Sequence, residues 1–312
     1  MPELPDISLY LDALRPRVVG RRLTRITIRS PALLRTFDPP TDAVEGRCVI
    51  AVERLGKRIV LALDGDYFLV IHLMIAGRLL WKPAGAKPTG KIDQAAFCFE
   101  PEFCGLNDGA TLVLTEASKM KRASLHLIRG RDDFLALAPR GLEVLASMPA
   151  DFATALTREN RTLKRAVTDP HTLDGIGNAY SDEILWAAGL SPITLTSRLT
   201  TDELSRLHAA CRDTLTHWTR RLRADFGYEP ESGAPTVAAR FPGVGDITAF
   251  RPDFGVHGKF KKPCPRCGTK VARIVRAENE INYCPGCQTG GRVLADRSLS
   301  RLLKDDWPRE AE

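Results

Sequence analysis

Apolar residues recur at Ile7, Tyr10, Leu11, Leu14 and Val18, the three-and-four spacing of one helix face. Asp6, after Pro5, reads as the start signal of that helix. The period then shortens to two. LTRITIRS alternates, and CVIAVERLGKRIVLALDGDYFLVIHLMIAGRLLW is dense in Val, Ile and Leu, with Asp64-Gly65 between two runs, a hairpin pattern. AAFCFE, Asn107-Asp108-Gly109 and ATLVLTE repeat the theme. Residues 1–140 are therefore expected to form a helix followed by an antiparallel β-sandwich or barrel.

From Met148 the spacing is helical again, in DFATALTRENRTLKRAVTDP, DEILWAAGL and TDELSRLHAACRDTLTHWTRRLRADFG. Asp151 and Thr201-Asp202 occupy N-cap places, and Gly189 with Pro192 beyond it marks a stop. This predicts an all-α unit over 148–228, a Gly- and Pro-rich linker over 229–250, a cysteine module over 251–291 and a tail over 292–312. Leu294, Leu299, Leu302 and Leu303 give the tail one short amphipathic face. The class is α+β, in several domains.

Composition narrows the function. At 312 residues and 44% hydrophobic content the chain can build real cores. No apolar run approaches the ~20 residues of a membrane span, and the N-terminus lacks the basic-then-apolar start of a secretory signal, so a cytoplasmic chain is expected. The net charge of +7 favours an anionic partner. Lys259, Lys261, Lys262, Arg266, Lys270, Arg273 and Arg276 follow one another with no acidic residue between them. Cys48, Cys98 and Cys211 sit in apolar surroundings and read as core.

Cys264, Cys267, Cys284 and Cys287 form C-x2-C, a spacer of 16, and C-x2-C. Four thiolates at that spacing close a tetrahedral, structural zinc site. The basic run across the module suits phosphate contact. Upstream, DGIGNAYSDEILWAAGL places Gly-x-Gly-Asn at a helix start, where backbone N–H groups and Asn178 can receive a phosphate.

The N-terminal PEL, the GIGNAYSDEILWAAGLSP segment and the four-cysteine finger together resemble the formamidopyrimidine-DNA glycosylase and endonuclease VIII family of bacterial base-excision repair enzymes. KRIVLAL after Gly56, VIHLMIAG and RPDFGVHGKFKKPCPRCG extend the resemblance along the chain in the family's order. It implies an N-terminal β-sandwich, a helix–two-turn–helix domain and a zinc finger. It also implies a bifunctional DNA glycosylase and abasic-site lyase working as a monomer on damaged or abasic DNA, in the bacterial cytoplasm at the nucleoid. Pro2, freed of Met1, falls at the nucleophile, Glu3 at the acid/base and Lys57 at the catalytic lysine that reaches a phosphate. Asn178 falls at the phosphate-gripping asparagine and Lys259, next to His257, at a basic residue near DNA.

The sequence also departs from the family. Ile75 stands at the wedge methionine, with Met74 one place earlier. The later loop that carries an Arg and a Phe reads TEASKMKRASLHL, leaving Lys119, Met120, Lys121 and Arg122. At the finger's hairpin tip Asn279 replaces an arginine between Glu278 and Glu280, so Arg276 and Arg273 are the cations available there. These departures leave open an abasic-site lyase or a glycosylase for a bulky adduct or crosslink, and a non-enzymatic binder of damaged DNA. His72, on an apolar strand, reads as structural.

Overall fold

The computed structural model describes residues 1–101, 110–276, 279–295 and 310, with only the backbone of 276 and 279. The Asn107-Asp108-Gly109 turn and the tail residues Leu299, Leu302, Leu303 and Trp307 lie outside the described residues. By its contacts the chain forms two compact units, Met1–Pro139 with Trp218–Thr248, and Arg140–His217 with Ala249–Glu312.

The first unit opens with helix α1 (Leu4–Val18). Its start lies earlier than the Asp6 signal suggests. Glu3 is the N-cap, and its N–H donates to Asp6 Oδ2 at 2.9 Å, so Asp6 closes the cap from within the first turn. Eight strands follow: β1 (Arg22–Ile28), β2 (Arg47–Leu55), β3 (Arg58–Leu63), β4 (Tyr67–His72), β5 (Gly77–Lys82), β6 (Asp93–Phe99), β7 (Thr111–Glu116) and β8 (Ser124–Arg129). They pair antiparallel in the order β5-β7-β6-β1-β2-β3-β4-β8. Register shifts at Leu23/Arg25 and Val49/Ala51 bend the strands, so the sheet folds over as a sandwich. The inner face holds Leu23, Val49, Leu61, Leu69, Leu79, Phe97, Leu112 and Leu127. The Leu9, Tyr10 and Leu14 face of α1 completes this core.

The stretch expected as a linker is packed. Ile247 joins the sandwich core, as do Leu222, Phe226 and Tyr228 just before the stretch, and Phe241 packs against it. Arg17, fully buried, donates to Tyr228 Oη at 3.1 Å. Gly233, at φ +72°, lies against Asp12, where a Cβ would stand 2.4 Å from the carboxylate. Short helix α2 (Arg131–Ala136) packs Phe134 on Phe68 at 4.4 Å, over the outer face of the sheet.

The second unit contains α3 (Pro149–Thr157), α4 (Leu163–Thr168), α5 (Asn178–Ala188) and the start of α6 (Thr201–Asp225), the helix in which the division between units falls. The caps differ from expectation by a few residues. Met148 caps α3, placing Asp151 in its first turn. Thr200 exchanges bonds with Glu203 at α6, with Thr200 N donating to Glu203 Oε2 at 2.9 Å. Gly189 ends α5 at φ +66°. Strands β9 (Ala272–Arg276) and β10 (Asn279–Tyr283) form the hairpin of the cysteine module, followed by α7 (Pro285–Thr289). Cys211 is fully buried, whereas Cys48 and Cys98 are only half-buried.

Candidate active site and nucleic-acid interface

Strand register gathers the first unit's predicted site residues at one end of the sandwich. Leu55 pairs with Arg58, Arg58 with His72, His72 with Ser124, and Gly77 with Glu116. The β2–β3 turn carrying Lys57, the β4–β5 turn carrying Met74 and Ile75, and the β7–β8 loop carrying Lys119, Lys121 and Arg122 therefore open side by side. Two non-glycine residues here hold left-handed backbone, Met74 at φ +51° and Lys121 at φ +44°. Strain of this kind concentrates where function fixes a loop.

The β4–β5 turn projects Ile75, which is 53% exposed, while Met74 is half-buried. Gly77 N donates to Leu73 O at 2.8 Å to close it, and a Cβ on Gly77 would meet that oxygen at 2.2 Å. The β7–β8 loop projects Met120, 68% exposed. Its base is held by the buried Glu116, whose carboxylate accepts from Arg122 N at 2.8 Å and Ala123 N at 3.0 Å. Lys121 Nζ turns back to the Glu116 carbonyl. Two apolar tips thus stand on rigid bases.

Pro2 and Glu3 are buried beside this end. Burial lowers the pKa of the chain's amino terminus below its ordinary value; Arg78 and Lys57 push the same way, and Glu3 and Asp6 oppose. The terminus thus senses both Lys57 and Arg78. Arg78 was not singled out from the sequence, although it directly follows HLMIAG. It donates from Nε to Ile247 O at 2.8 Å and from Nη1 to Gly77 O at 2.6 Å, bracing the Ile75 turn. His72 is the cross-strand partner of Arg58, and burial together with the charges of Arg58 and Lys57 lowers its pKa to about 4.

In the second unit Asn178 begins α5 and is half-buried, with Nδ2 donating to Glu280 O at 3.1 Å on β10. Beneath it Lys164 Nζ donates to Asn178 O and Ser181 Oγ, each at 2.7 Å, and to Asp182 Oδ1 at 2.5 Å. Asp182 Oδ2 meets His257 Nδ1 at 2.7 Å and accepts from Asn282 N at 3.0 Å. Glu183 accepts from Gly255, Val256 and His257 N at 2.7–2.9 Å. Burial raises the Glu183 pKa and the three amides oppose it. His257 is 4% exposed. Its Nδ1 is engaged in the interior by Asp182. Lys259 is half-buried, its Nζ donating to Pro252 O at 2.6 Å. The side chains of Arg276 and Asn279 lie outside the described residues; the two are register partners at the hairpin tip. Arg273 pairs with Glu280 at 2.7 Å and lies over Phe260. Nothing in the spacing announced Lys164 and Asp182, because a buried Lys and a helical Asp look like surface charges in sequence.

The Sγ atoms of Cys264, Cys267, Cys284 and Cys287 all lie within 4.8 Å of one another. Their separations include 3.3 Å, 3.5 Å and 3.9 Å, close to the ~3.8 Å expected when four sulfurs surround one zinc at ~2.3 Å. Arg266 N donates to Cys264 Sγ and Cys287 N to Cys284 Sγ, each at 3.4 Å, which stabilises thiolate charge. Gly286 permits the approach, since its Cβ would stand 2.6 Å from Thr269 Oγ1. The donor set fits structural zinc, and four sulfurs leave no open position.

The chain matches the family models described as Formamidopyrimidine-DNA glycosylase N-terminal domain over residues 1–122, Formamidopyrimidine-DNA glycosylase H2TH domain over 141–221, and Zinc finger found in FPG and IleRS over 261–290. It is 31% identical to the formamidopyrimidine-DNA glycosylase of Chloroflexus aggregans, covering 92% of this chain and 98% of that one. The crystal structure of the MutM (Fpg) protein of Thermus thermophilus is 31% identical, with a TM-score of 0.73 and coverage of 92% and 98%. The Lactococcus lactis Fpg in complex with abasic-site DNA shares the fold at 23% identity, with a TM-score of 0.75 and coverage of 92% and 99%.

Proposed function

Since the chain belongs to the formamidopyrimidine-DNA glycosylase family, we propose that it excises oxidised bases from DNA and cleaves the resulting abasic strand, with Pro2 as nucleophile. The observation that carries this reading is the convergence of the amino terminus, Glu3, Lys57 and Arg78 at the loop end of the sandwich.

Removal of Met1 converts the Pro2 nitrogen from an amide to a secondary amine. An α-amine has a pKa near ~8, far below that of lysine, which leaves part of it as free base at neutral pH, and Pro2 is buried like the Met1 amine whose pKa burial lowers. Its lone pair attacks C1′ as the glycosidic bond breaks and the base leaves with a proton. Glu3 protonates the sugar ring oxygen, which opens the ring and leaves an iminium between Pro2 and C1′. A secondary amine cannot shed that positive charge as a neutral imine. The iminium therefore acidifies the C2′ hydrogen; loss of that proton expels the 3′ phosphate, and hydrolysis frees the enzyme. Lys57 steadies a phosphate beside the reaction.

A base inside a duplex is beyond reach of a buried amine, so the nucleotide must leave the stack. Ile75 and Met120, the exposed tips, fill the space it vacates. Lys119 and Arg122 hold neighbouring backbone. Asn178 and the first N–H groups of α5 grip a phosphate, with Lys259 and the finger hairpin of Arg276 and Asn279 close to the strand. Zinc supplies folding of the finger and takes no part in the reaction. We keep the domain boundaries read from the sequence as the functional division, while by contacts Trp218–Thr248 group with the sandwich. Among the described residues no helix is long and apolar enough to cross a membrane. The likeness to bacterial formamidopyrimidine-DNA glycosylases supports our reading that the protein works at the nucleoid of the bacterial cytoplasm.

Borohydride trapping on an oligonucleotide with one abasic site tests the reading. Protein confirmed by mass to start at Pro2 is expected to give a covalent adduct, lost in Pro2→Gly. No adduct from such protein would leave a damage-binding protein instead.

A further inference from the structure

We infer that the outer face of β3, β4 and β8 carries a second phosphate site, in which Arg35 and His126 grip the DNA backbone beyond the reacting nucleotide. This rests on the DNA-binding reading above.

The outer face of these strands has two contrasting ends. Toward α2 it is apolar, with Val60, Phe68, Val70 and Ile128 beneath Phe134. Toward the loop end it turns basic. Arg58 pairs with His72, and Val70, two residues before His72, pairs with His126. His72 and His126 are therefore diagonal neighbours on one face. A further segment lies along the free edge of β8. Leu34 bridges to Leu125, Arg35 N donates to Leu125 O at 2.9 Å, and Leu127 N donates to Thr36 Oγ1 at 2.7 Å. Four adjacent segments thus contribute Arg58, His72, His126 and the exposed Arg35, in a row that starts beside the Lys57 turn.

The groups acting on His126 are Arg58 and Arg35; those on His72 are Arg58, Lys57 and His126, and no carboxylate is among them. Among the described residues the side chains of Arg35, His72 and His126 have no hydrogen-bond partner. Clustered cations without an acid repel one another, and donors left unused offer bonds to an acceptor. An anion relieves both costs. A phosphodiester suits the place, because the row extends from the lysine that meets a phosphate. Burial and the two arginines keep His126 below its ordinary pKa in the free protein. A phosphate beside it reverses that balance, so binding takes up a proton.

The experiment titrates Arg35→Ala, His126→Gln and the double variant against a duplex holding a non-cleavable tetrahydrofuran abasic analogue. Salt is varied at pH 7.5 and at pH 6.0. Losing each phosphate contact is expected to lower the slope of log affinity against log salt by about 0.9 and to weaken binding roughly three- to tenfold at low salt. Wild type is expected to bind more tightly at pH 6.0 than the change in His126→Gln explains. Arg25→Gln, which removes an exposed cation from β1, is expected to keep the wild-type slope. A double variant with unaltered slope and pH response overturns the inference, as does an equal loss in Arg25→Gln, which would mean bulk charge alone. A wild type that ignores the duplex overturns the glycosylase reading as well.

Discussion

The carboxylate of Glu116 accepts the backbone N–H of Ala123 at 3.0 Å, tying the last residue of β7 to the residue before β8. The bond spans the loop that displays Met120, and a second bond to Arg122 N at 2.8 Å shares the load. Glu116 and Ala123 are each 1% exposed, so the Ala123 amide has no water as an alternative. Glu116→Gln leaves one oxygen to accept where there were two. The expected cost is about 1–2 kcal/mol of stability, with faster hydrogen exchange at the Arg122 and Ala123 amides. If those amides keep wild-type protection, the loop is held by something other than this carboxylate.

Much of this was legible in sequence, for physical reasons that differ by element. The α1 face of Leu14 and Val18 and the β3–β4 hairpin announced themselves because burial enforces a period. The cysteine cage was legible because zinc fixes both ligand type and spacing. Caps were misplaced by one to three residues at Glu3, Met148 and Thr200, since neighbouring Asp and Thr residues offer equal cues and only geometry chooses among them. The 229–248 stretch looked like a linker because it is rich in Gly and Pro, yet Ile247 joins the core and Phe241 packs against it, next to Tyr228 just before the stretch. His257 is buried although the adjoining Gly258-Lys259 looks like an exposed turn in sequence. Its partner, Asp182, lies 75 residues away.

His72 sets a pH dependence. Its folded pKa is about 4, below the ordinary 6.5, because burial and the cations Arg58 and Lys57 disfavour the charged ring. The unfolded chain therefore binds a proton that the folded one refuses between those values. Stability is complete above about pH 6.5 and falls as pH drops toward 4, by on the order of 2–3 kcal/mol. Urea midpoints measured from pH 7 to pH 4.5 are expected to decline less steeply in His72→Asn. Parallel curves for the two proteins would assign the acid loss to carboxylates elsewhere.

Asp182 carries the joint between α5 and the finger within the second unit. It is fully buried, paired with Lys164 and bonded to His257 and Asn282. Removing one partner from a buried pair strands the other charge and typically costs about 3–5 kcal/mol. Asp182→Ala is therefore expected to lower the thermal midpoint well beyond Asp151→Ala, an exposed first-turn change in α3. Equal midpoints would show that Lys164 finds another partner at little cost.

Zinc removal separates folding from chemistry. The small core beside the cage contains Val256, Cys264, Val271 and Cys284, too little apolar area for such a module to stay folded without its metal. Asn178 is tied to Glu280 of β10, and Asp182 to Asn282 of β10 and to His257, so loss of the finger also loosens the turn at the start of α5. Chelation is thus expected to abolish tight binding of abasic DNA. Pro2, Glu3 and Lys57 belong to the other unit, whose sandwich core contains none of the cysteine ligands. Near-ultraviolet signals from Trp81 and Tyr10 should accordingly persist, and high protein concentration should restore slow borohydride trapping on a short abasic oligonucleotide. Tight binding that survives verified zinc loss would remove the finger from the DNA interface, and collapse of the Trp81 signal would make the metal a requirement of the whole chain.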